Sequence, residues 1–354
     1  MDRTIDYTPL FAEVSRDDVV QYRAELARAS THAAHEHITR VVTWVIAALV
    51  IMTMSLVVVF PLLVTVVAIA SGARPITESV AALPGLVIVV VAVVLAVRFL
   101  RSAQQSWQQR VRMSRFAAAN GLIFEPRSPA PSYPGAIFGL GSSRLVTDHF
   151  RTPDGRFIDF GNYTYVTGSG KSRTTHRWGF LAMHLDRALP HMLLDSTANN
   201  GMFGASNLPT AFRRDQVLSL EGDFDRYFTL YCPKQYERDA LYVFTPDLMA
   251  LLIDEAAPFD VEIIDRWLFV YAARPFPLAD PATYQRLLRI VSTVGAKTLS
   301  QTDRYVDERI GVFSANIVAP AGQRLKGSVR WAGIIVIGVI VVAWVVPIVF
   351  SFLQ

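Results

Sequence analysis

An acidic turn contains residues whose types and spacing suit chemistry. Glu221, Asp223 and Asp225 lie at alternating positions, and neighbouring carboxylates can exchange protons or hold a cation. The histidines that would complete a cleft beside them are His176, His184 and His191. With a metal ion, this turn predicts a membrane-bound, metal-dependent hydrolase. Turns also collect acids because aspartate bonds its own backbone and is well solvated, so hydrolysis is our alternative hypothesis.

A second group of potential ligands lies near the N-terminus. On a helix, His32, His35 and Glu36 would share one face, with spacing i, i+3 and i+4. Tetrahedral zinc would need a further ligand from a neighbouring element. We therefore interpret this face as solvated and assign no metal site.

The third candidate is a glycine-rich segment, Gly168-Ser-Gly-Lys-Ser172. A phosphate-binding loop needs a further glycine where this chain has Tyr165, and a helix after the loop. Strand patterns on both sides predict a mobile hairpin tip instead. Its cations Lys171, Arg173 and Arg177 are candidates for contact with lipid headgroups or a partner. No residue is assigned to catalysis, and no cofactor is expected.

Three apolar segments would position these groups. Residues 41–70, 79–100 and 331–353 are each long enough for the roughly 20 residues that a membrane crossing needs, and mean hydropathy is +0.31. They predict three transmembrane helices, with an external loop at 71–78. The alternative, buried core helices of a soluble protein, is disfavoured by the length of these segments.

Basic residues flanking these segments predict the orientation. The positive-inside rule places the N-terminus and the main domain in the cytoplasm of a multi-pass protein of the inner (plasma) membrane. The helix after the second segment adds cations for anionic inner-leaflet lipid: Arg110, Arg112 and Arg115. The expected partners are thus the lipid bilayer and a membrane protein or anionic lipid.

The remaining chain divides by composition. We expect a cytoplasmic tail and juxtamembrane helix at 1–40, a second juxtamembrane helix at 101–120 and a cytoplasmic domain at 121–330. Residues 120–326 contain 22 Lys and Arg and 22 Asp and Glu, and this neutrality argues against a nucleic-acid partner. The single cysteine, Cys232, rules out an internal disulfide.

Strand patterns dominate the first part of this domain and helix signals the last. Two hairpins are predicted, at 156–186 and 217–231, with further strands at 191–195, 261–264 and 267–272, the last two pairing around Asp265-Arg266. Helices should begin at Thr245-Pro246 and Asp280-Pro281. This order predicts an α+β fold with an antiparallel sheet, for which a pleckstrin-like partly open barrel is one arrangement.

Local signals also predict two helix ends. Ser15 followed by Asp18 is typical of a capping box, and Asn120-Gly121 of a left-handed C-cap. The stretch 126–141, rich in proline, glycine and serine, predicts a linker or covering loop.

Leu220-Glu-Gly-Asp-Phe-Asp-Arg-Tyr-Phe-Thr-Leu-Tyr231 and Ala240-Leu-Tyr-Val-Phe-Thr-Pro-Asp-Leu-Met249 resemble a family of uncharacterised bacterial membrane proteins, in an actinobacterial version. The resemblance covers roughly 179–299. It implies a membrane-tethered cytoplasmic domain of unknown function and transfers no catalytic residue.

Together these observations favour a non-enzymatic protein. We expect a membrane-tethered binding, scaffold or regulatory module for a protein partner or inner-leaflet lipid.

Overall fold

The computed structural model describes residues 5–29, 63, 67, 70–71, 83–200, 206–310 and 316–327. The chain forms two compact units, one of Tyr7–Phe116 and the other of Met1–Asp6 with Ala117–Gln354. The candidate zinc ligands His32, His35 and Glu36 lie outside the described residues.

The first unit contains α1 (Thr8–Phe11), α2 (Arg16–Ala29) and most of a long helix, α3 (Leu83–Ala119). The predicted capping box begins α2. The Ser15 amide donates to Asp18 Oδ2 at 2.9 Å, and the Asp18 amide donates to Ser15 Oγ at 3.1 Å. Two amides that the first helical turn cannot satisfy are therefore bonded by local side chains.

The C-terminal end of α3 is also as predicted. Gly121 has a φ of 67°, which glycine adopts without a Cβ penalty. The Leu122 amide donates to the Ala117 carbonyl at 2.8 Å, and the Gly121 amide donates to that of Ala118 at 3.4 Å. This Schellman pattern ends the helix and turns the chain into the first strand.

The predicted membrane topology is wrong. A crossing helix needs about 20 apolar residues, and no helix within the described ranges is long and apolar enough. This finding contradicts the predictions of three transmembrane helices, of a multi-pass protein and of a plasma-membrane location. The structure does not describe residues 331–353, and between 41 and 82 it describes only residues 63, 67, 70 and 71.

The second unit is built on an antiparallel seven-stranded sheet, which confirms the α+β prediction. Its strands are β1 (Ile123–Pro129), β2 (Ser142–Arg151), β3 (Ile158–Thr167), β4 (Thr174–Ser196), β5 (Val217–Leu218), β6 (Phe228–Tyr231) and β7 (Asp260–Ala272). The order is β1-β2-β3-β4-β6-β5, and β7 pairs with the opposite edge of β4. This branched order gives no support to a pleckstrin-like barrel.

The 23-residue strand β4 organises the sheet. Its first half lies between β3 and β7, and its last residues lie between β6 and β7. We predicted two strands here, but register shifts between His184 and Met192 bend one continuous strand. The predicted pairing of 261–264 with 267–272 is wrong for a similar reason: Asp265, with a φ of 52°, bends β7 without ending it.

Helices follow the strands as expected. They are α4 (Glu237–Val243), α5 (Pro246–Leu251), α6 (Pro281–Ile290), α7 (Ala296–Thr302) and α8 (Pro320–Gln323), with π-helical turns at Leu252–Ala256 and Val291–Gly295. Asp280 caps α6 by accepting from the Ala282 amide at 3.0 Å. The Thr245 hydroxyl does not cap α5, and its oxygen is buried without a partner among the described residues.

The predicted covering loop begins later than expected, because 123–129 pairs with β2 as β1. Residues 130–141 then fold over the sheet. Ile137 is fully buried, and the Phe138 ring packs edge-on against Phe180, with centroids 5.3 Å apart. Because the loop supplies apolar side chains to the core, it stabilises the sheet that it covers.

The close contact of β4 with the segment that follows β7 gives a test of the packing. A Cβ on Gly179 would lie 2.6 Å from the Phe276 ring. That ring cannot easily retreat, because Asn162 bonds both the amide and the carbonyl of Phe276, at 2.6 and 3.1 Å. We expect Gly179→Ala to lower the free energy of unfolding by about 1–3 kcal/mol in urea titrations. Gly327→Ala, whose Cβ would meet nothing closer than 3.7 Å, is the control. Equal stabilities for the two variants would contradict this account.

Candidate functional site

A group of exposed cations lies at one end of the sheet, where β2 begins, β3 ends and β4 begins. We call it the cationic end; its members are Arg144, Lys171, Arg173, Arg177 and Arg274. None of them forms an ion pair within the part of the chain that the structure describes. The segments 129–147, 160–185 and 266–279, which meet here, contain no Asp or Glu. Within the described ranges, the positive charge at this end therefore has no acidic partner.

The hairpin that carries three of these cations is well anchored. Strands β3 and β4 pair without interruption from Ile158–Met183 to Thr167–Thr174. At the tip, a short 3₁₀ turn spans Gly170–Ser172, and the Ser172 hydroxyl donates to the Ser169 carbonyl at 2.9 Å. This is the predicted hairpin, with a strand on each side of the turn, so a helix N-terminus for phosphate is lacking.

His176 fixes the base of this tip. Its ring stacks on Tyr165 with centroids 4.7 Å apart, and Nε2 is 2.8 Å from the Thr167 hydroxyl. Both contacts are within the hairpin. The cations thus project from a supported ribbon, with their side chains exposed.

The other three predicted contact residues lie on α3, and each of them contacts other residues of the first unit. Arg115 Nη2 is 2.6 Å from Asp18 Oδ1, and Arg112 Nε donates to the Ala12 carbonyl at 2.9 Å. The Arg110 guanidinium lies 4.9 Å from the centre of the Trp107 ring, as does that of Arg23. Hydrogen bonds from Ser15, followed by the bond from Arg115, lower the pKa of Asp18. Arg112 and Arg115 thus hold α1 and α2 on α3, while Arg110 packs on a ring of its own helix.

The acidic turn supports itself. Asp225 accepts a hydrogen bond from the Ser219 hydroxyl and one from the Leu220 amide, while Glu221 and Asp223 are exposed. The three histidines proposed for a cleft have other partners: His176 bonds Thr167, His184 packs on Trp267 and His191 bonds Glu262. No group of three or more His, Cys, Asp or Glu in the described residues is arranged to hold a metal ion. The hydrolase alternative stays a prediction without structural support.

A buried carboxylate that sequence reasoning missed lies on β7. Glu262 is fully buried and accepts from Tyr271 OH at 2.7 Å and from the Ala136 amide at 2.8 Å. His191 Nδ1 accepts from the Leu325 amide at 3.0 Å, so its Nε2 carries the proton and donates to Glu262 at 2.6 Å. This network joins β4, β7, the covering loop and the C-terminal segment.

A second buried network crosses β1, β2 and β3. His149 lies between Ser128 Oγ, 2.6 Å from Nδ1, and Asp159 Oδ1, 2.5 Å from Nε2. Tyr133 of the covering loop donates to the other Asp159 oxygen, and burial followed by this carboxylate raises the pKa of Tyr133. Serine, histidine and aspartate are the residue types of acyl-transfer triads. Because Ser128 is only 6% exposed, this set is closed to a substrate and links three strands instead.

Two further buried acids, Asp195 and Asp260, lie near the end of β4. The pKa of Asp260 is raised to about 7: burial is the largest cause and the Asp195 charge adds to it, while the hydrogen bond from the Ser196 amide acts in the opposite direction. Burial also raises the pKa of Asp195.

One signal in the sequence could have revealed Glu262 as a buried acid. Glu262 interrupts an otherwise apolar strand sequence, Val261-Glu-Ile-Ile264, and a charged residue at an inward position is buried only when it is bonded. The partners could not be found in this way, because they come from segments far apart in the chain.

The Glu262 network predicts that replacing this one carboxylate by an amide strongly lowers the free energy of unfolding. A glutamine has one accepting oxygen, so its NH₂ group must face the donors of His191 or those of Tyr271 and Ala136. We expect Glu262→Gln to lower the free energy of unfolding by about 2–4 kcal/mol in urea titrations. The exposed Glu221→Gln is the control, and a difference between the two variants under about 0.5 kcal/mol would contradict the assigned bonding.

The raised pKa of Asp260 predicts that the stability of the fold depends on pH. Between its ordinary pKa of 3.8 and about 7, the folded state retains a proton that the unfolded state has lost. Stability therefore falls as pH rises through this window, by up to about 4 kcal/mol, and levels off above it. Asp260→Asn should flatten this part of the profile of unfolding free energy against pH, measured in metal-free buffer. The exposed Asp223→Asn should keep the wild-type slope; an unchanged slope in Asp260→Asn would refute the assignment.

Comparisons with known proteins show no family for this chain. No family model matches it, and no curated protein matches it, so the resemblance to uncharacterised bacterial membrane proteins stays a prediction. A solved structure that it resembles is that of the mycobacterial trehalose monomycolate transport factor A, TtfA. The two are 12% identical with a TM-score of 0.36, over 53% of this chain and 93% of that one. A likeness at this level carries no argument about function.

Proposed function

We propose that this protein is a binding module that captures an acidic segment of a protein partner at the cationic end. The observation that carries the proposal is the set of five exposed cations without an ion pair among the described residues. Basic residues on a surface are ordinarily interspersed with acids. Residues 120–326 are formally neutral, so a local excess of positive charge means that the charges are segregated.

Four of the five cations are arginines, which suits a carboxylate partner. The planar guanidinium presents paired donors that match the two oxygens of a carboxylate. Arg156 makes this kind of contact elsewhere in the same unit, with both of its terminal nitrogens 3.1 Å from the Asp186 oxygens. An acidic segment could therefore form several such pairs along the hairpin.

The geometry of the hairpin favours encounter with a partner. The tip is exposed, while the pairing of β3 with β4 and the His176 contacts hold its base. A held ribbon loses less conformational entropy on binding than a loose loop would. Complementary charge also steers an acidic partner toward this end before contact.

Charge reversal tests the proposal on the full-length chain. We expect the triple variant Lys171→Glu, Arg173→Glu, Arg177→Glu to weaken binding of a fluorescein-labelled oligoglutamate peptide about tenfold or more, measured by fluorescence anisotropy. Wild-type affinity should fall as salt is raised, because exposed charges are screened.

The matched control reverses three exposed cations elsewhere in the second unit: Lys234→Glu, Arg238→Glu and Arg226→Glu. It has the same net charge as the test variant and should retain most of the binding. Equal losses in both variants would show attraction by net charge alone and overturn the proposal. A wild type that ignores the peptide but binds phosphatidylserine vesicles would overturn it in favour of a lipid ligand.

A further inference from the structure

The cationic end and the acidic turn lie at opposite ends of one strand. Strand β4 begins at Thr174, beside the tip of the cationic hairpin, and ends at Ser196. Directly after it, the Thr197 amide donates to the carbonyl of Tyr227, two residues beyond the acidic turn, at 2.9 Å. The same molecule therefore presents a cluster of cations at the start of β4 and a set of acids at its end.

The acidic turn is locally negative and exposed. Residues 216–233 contain three acids and one cation, Arg226. Glu221 and Asp223 are exposed, and neither forms an ion pair within the part of the chain that the structure describes. Their carboxylates are thus as accessible as the cations of the hairpin.

The shape of the acidic turn is fixed from within. The Asp225 carboxylate accepts from the Ser219 hydroxyl and from the Leu220 amide. Phe224 is buried beneath the turn and stacks on Phe228 with ring centroids 5.2 Å apart. A turn held in this way loses little backbone entropy when it binds.

Charge balance connects the two ends. Residues 120–326 contain equal numbers of basic and acidic residues, so an excess of cations at one place requires an excess of acids at another. Surfaces of opposite sign attract across an interface, and like surfaces repel. Two copies of this chain are therefore complementary when the cationic end of one meets the acidic turn of the other.

We propose that the acidic segment bound at the cationic end is the acidic turn of a second copy of this chain. The inference rests on the proposed function and names its partner. Arginines of the hairpin would pair with Glu221 and Asp223 across the contact, as Arg156 pairs with Asp186 within the second unit. Because the two surfaces differ, each contact joins the cationic end of one copy to the acidic turn of another.

Charge reversal at each end tests this contact on the full-length chain. The turn-reversed variant is Glu221→Lys, Asp223→Lys, and the tip-reversed variant is the triple Lys171→Glu, Arg173→Glu, Arg177→Glu. We expect each variant alone to self-associate about tenfold or more weakly than the wild type in sedimentation velocity, because like charges then meet.

A mixture of the two variants is the decisive sample. Native tips then meet native turns, and reversed tips meet reversed turns, so an equimolar mixture should recover most of the wild-type association. Wild-type association should also weaken as salt is raised, because exposed charges are screened. A mixture that recovers nothing would overturn the proposal, as would a wild type that remains monomeric.

The matched control reverses two exposed acids outside the turn, Asp303→Lys and Glu308→Lys. It has the same net charge as the turn-reversed variant and should self-associate like the wild type. Equal association of the wild type, the control and both reversed variants would overturn the proposal, because contacts other than these charges would then join the copies.

The labelled oligoglutamate peptide separates this inference from the proposed function. The turn-reversed variant keeps its cationic end and should bind the peptide at least as tightly as the wild type. Peptide binding that depends on the tip cations, with self-association that is insensitive to turn reversal, would overturn this inference alone. Peptide binding that is insensitive to tip reversal would overturn both.

Discussion

The second unit depends on one buried carboxylate, that of Glu262. It accepts hydrogen bonds from the β4 histidine His191, from Tyr271 on its own strand and from the covering loop at Ala136. Its histidine partner in turn accepts from the C-terminal segment at Leu325. Four segments that are distant in sequence thus meet at one polar centre. Because every donor there is satisfied by a specific acceptor, the network fixes one arrangement of strand, loop and C-terminal segment.

The sequence predicts the local parts of this fold and misses the long-range ones, for a physical reason. The predicted helix ends form hydrogen bonds within a few residues, at Ser15 with Asp18, Asn120-Gly121 and Asp280-Pro281. Neighbouring residues in the sequence are therefore enough to predict them. The bends in β4 and β7 also look local, but each strand continues because a neighbouring strand pairs on both sides of the bend. No pattern in a single segment records that pairing, and two strands were predicted where one exists.

The residues of the candidate site likewise differ in whether the sequence alone predicts them. Lys171, Arg173 and Arg177 follow from composition, because a polar hairpin tip exposes its cations. Arg144 and Arg274 join them only through the sheet, which brings β2 and the segment after β7 to the same end. Arg112 and Arg115 bond the Ala12 carbonyl and Asp18, and their role as contact residues stays a prediction. Helix sequence predicts a cationic face, but only tertiary contacts decide whether that face remains free.

Strand β4 also separates the charges of the unit, which net neutrality conceals. Arg177 is exposed near its start, and Asp195 is buried near its end. At about 3.3 Å per residue, these positions lie several Debye lengths of about 8 Å apart. Because Coulomb energy falls with distance, neither group can neutralise the other across this separation. Each group must therefore be compensated locally, as at Asp260, where burial raises the pKa to about 7 and favours a bound proton.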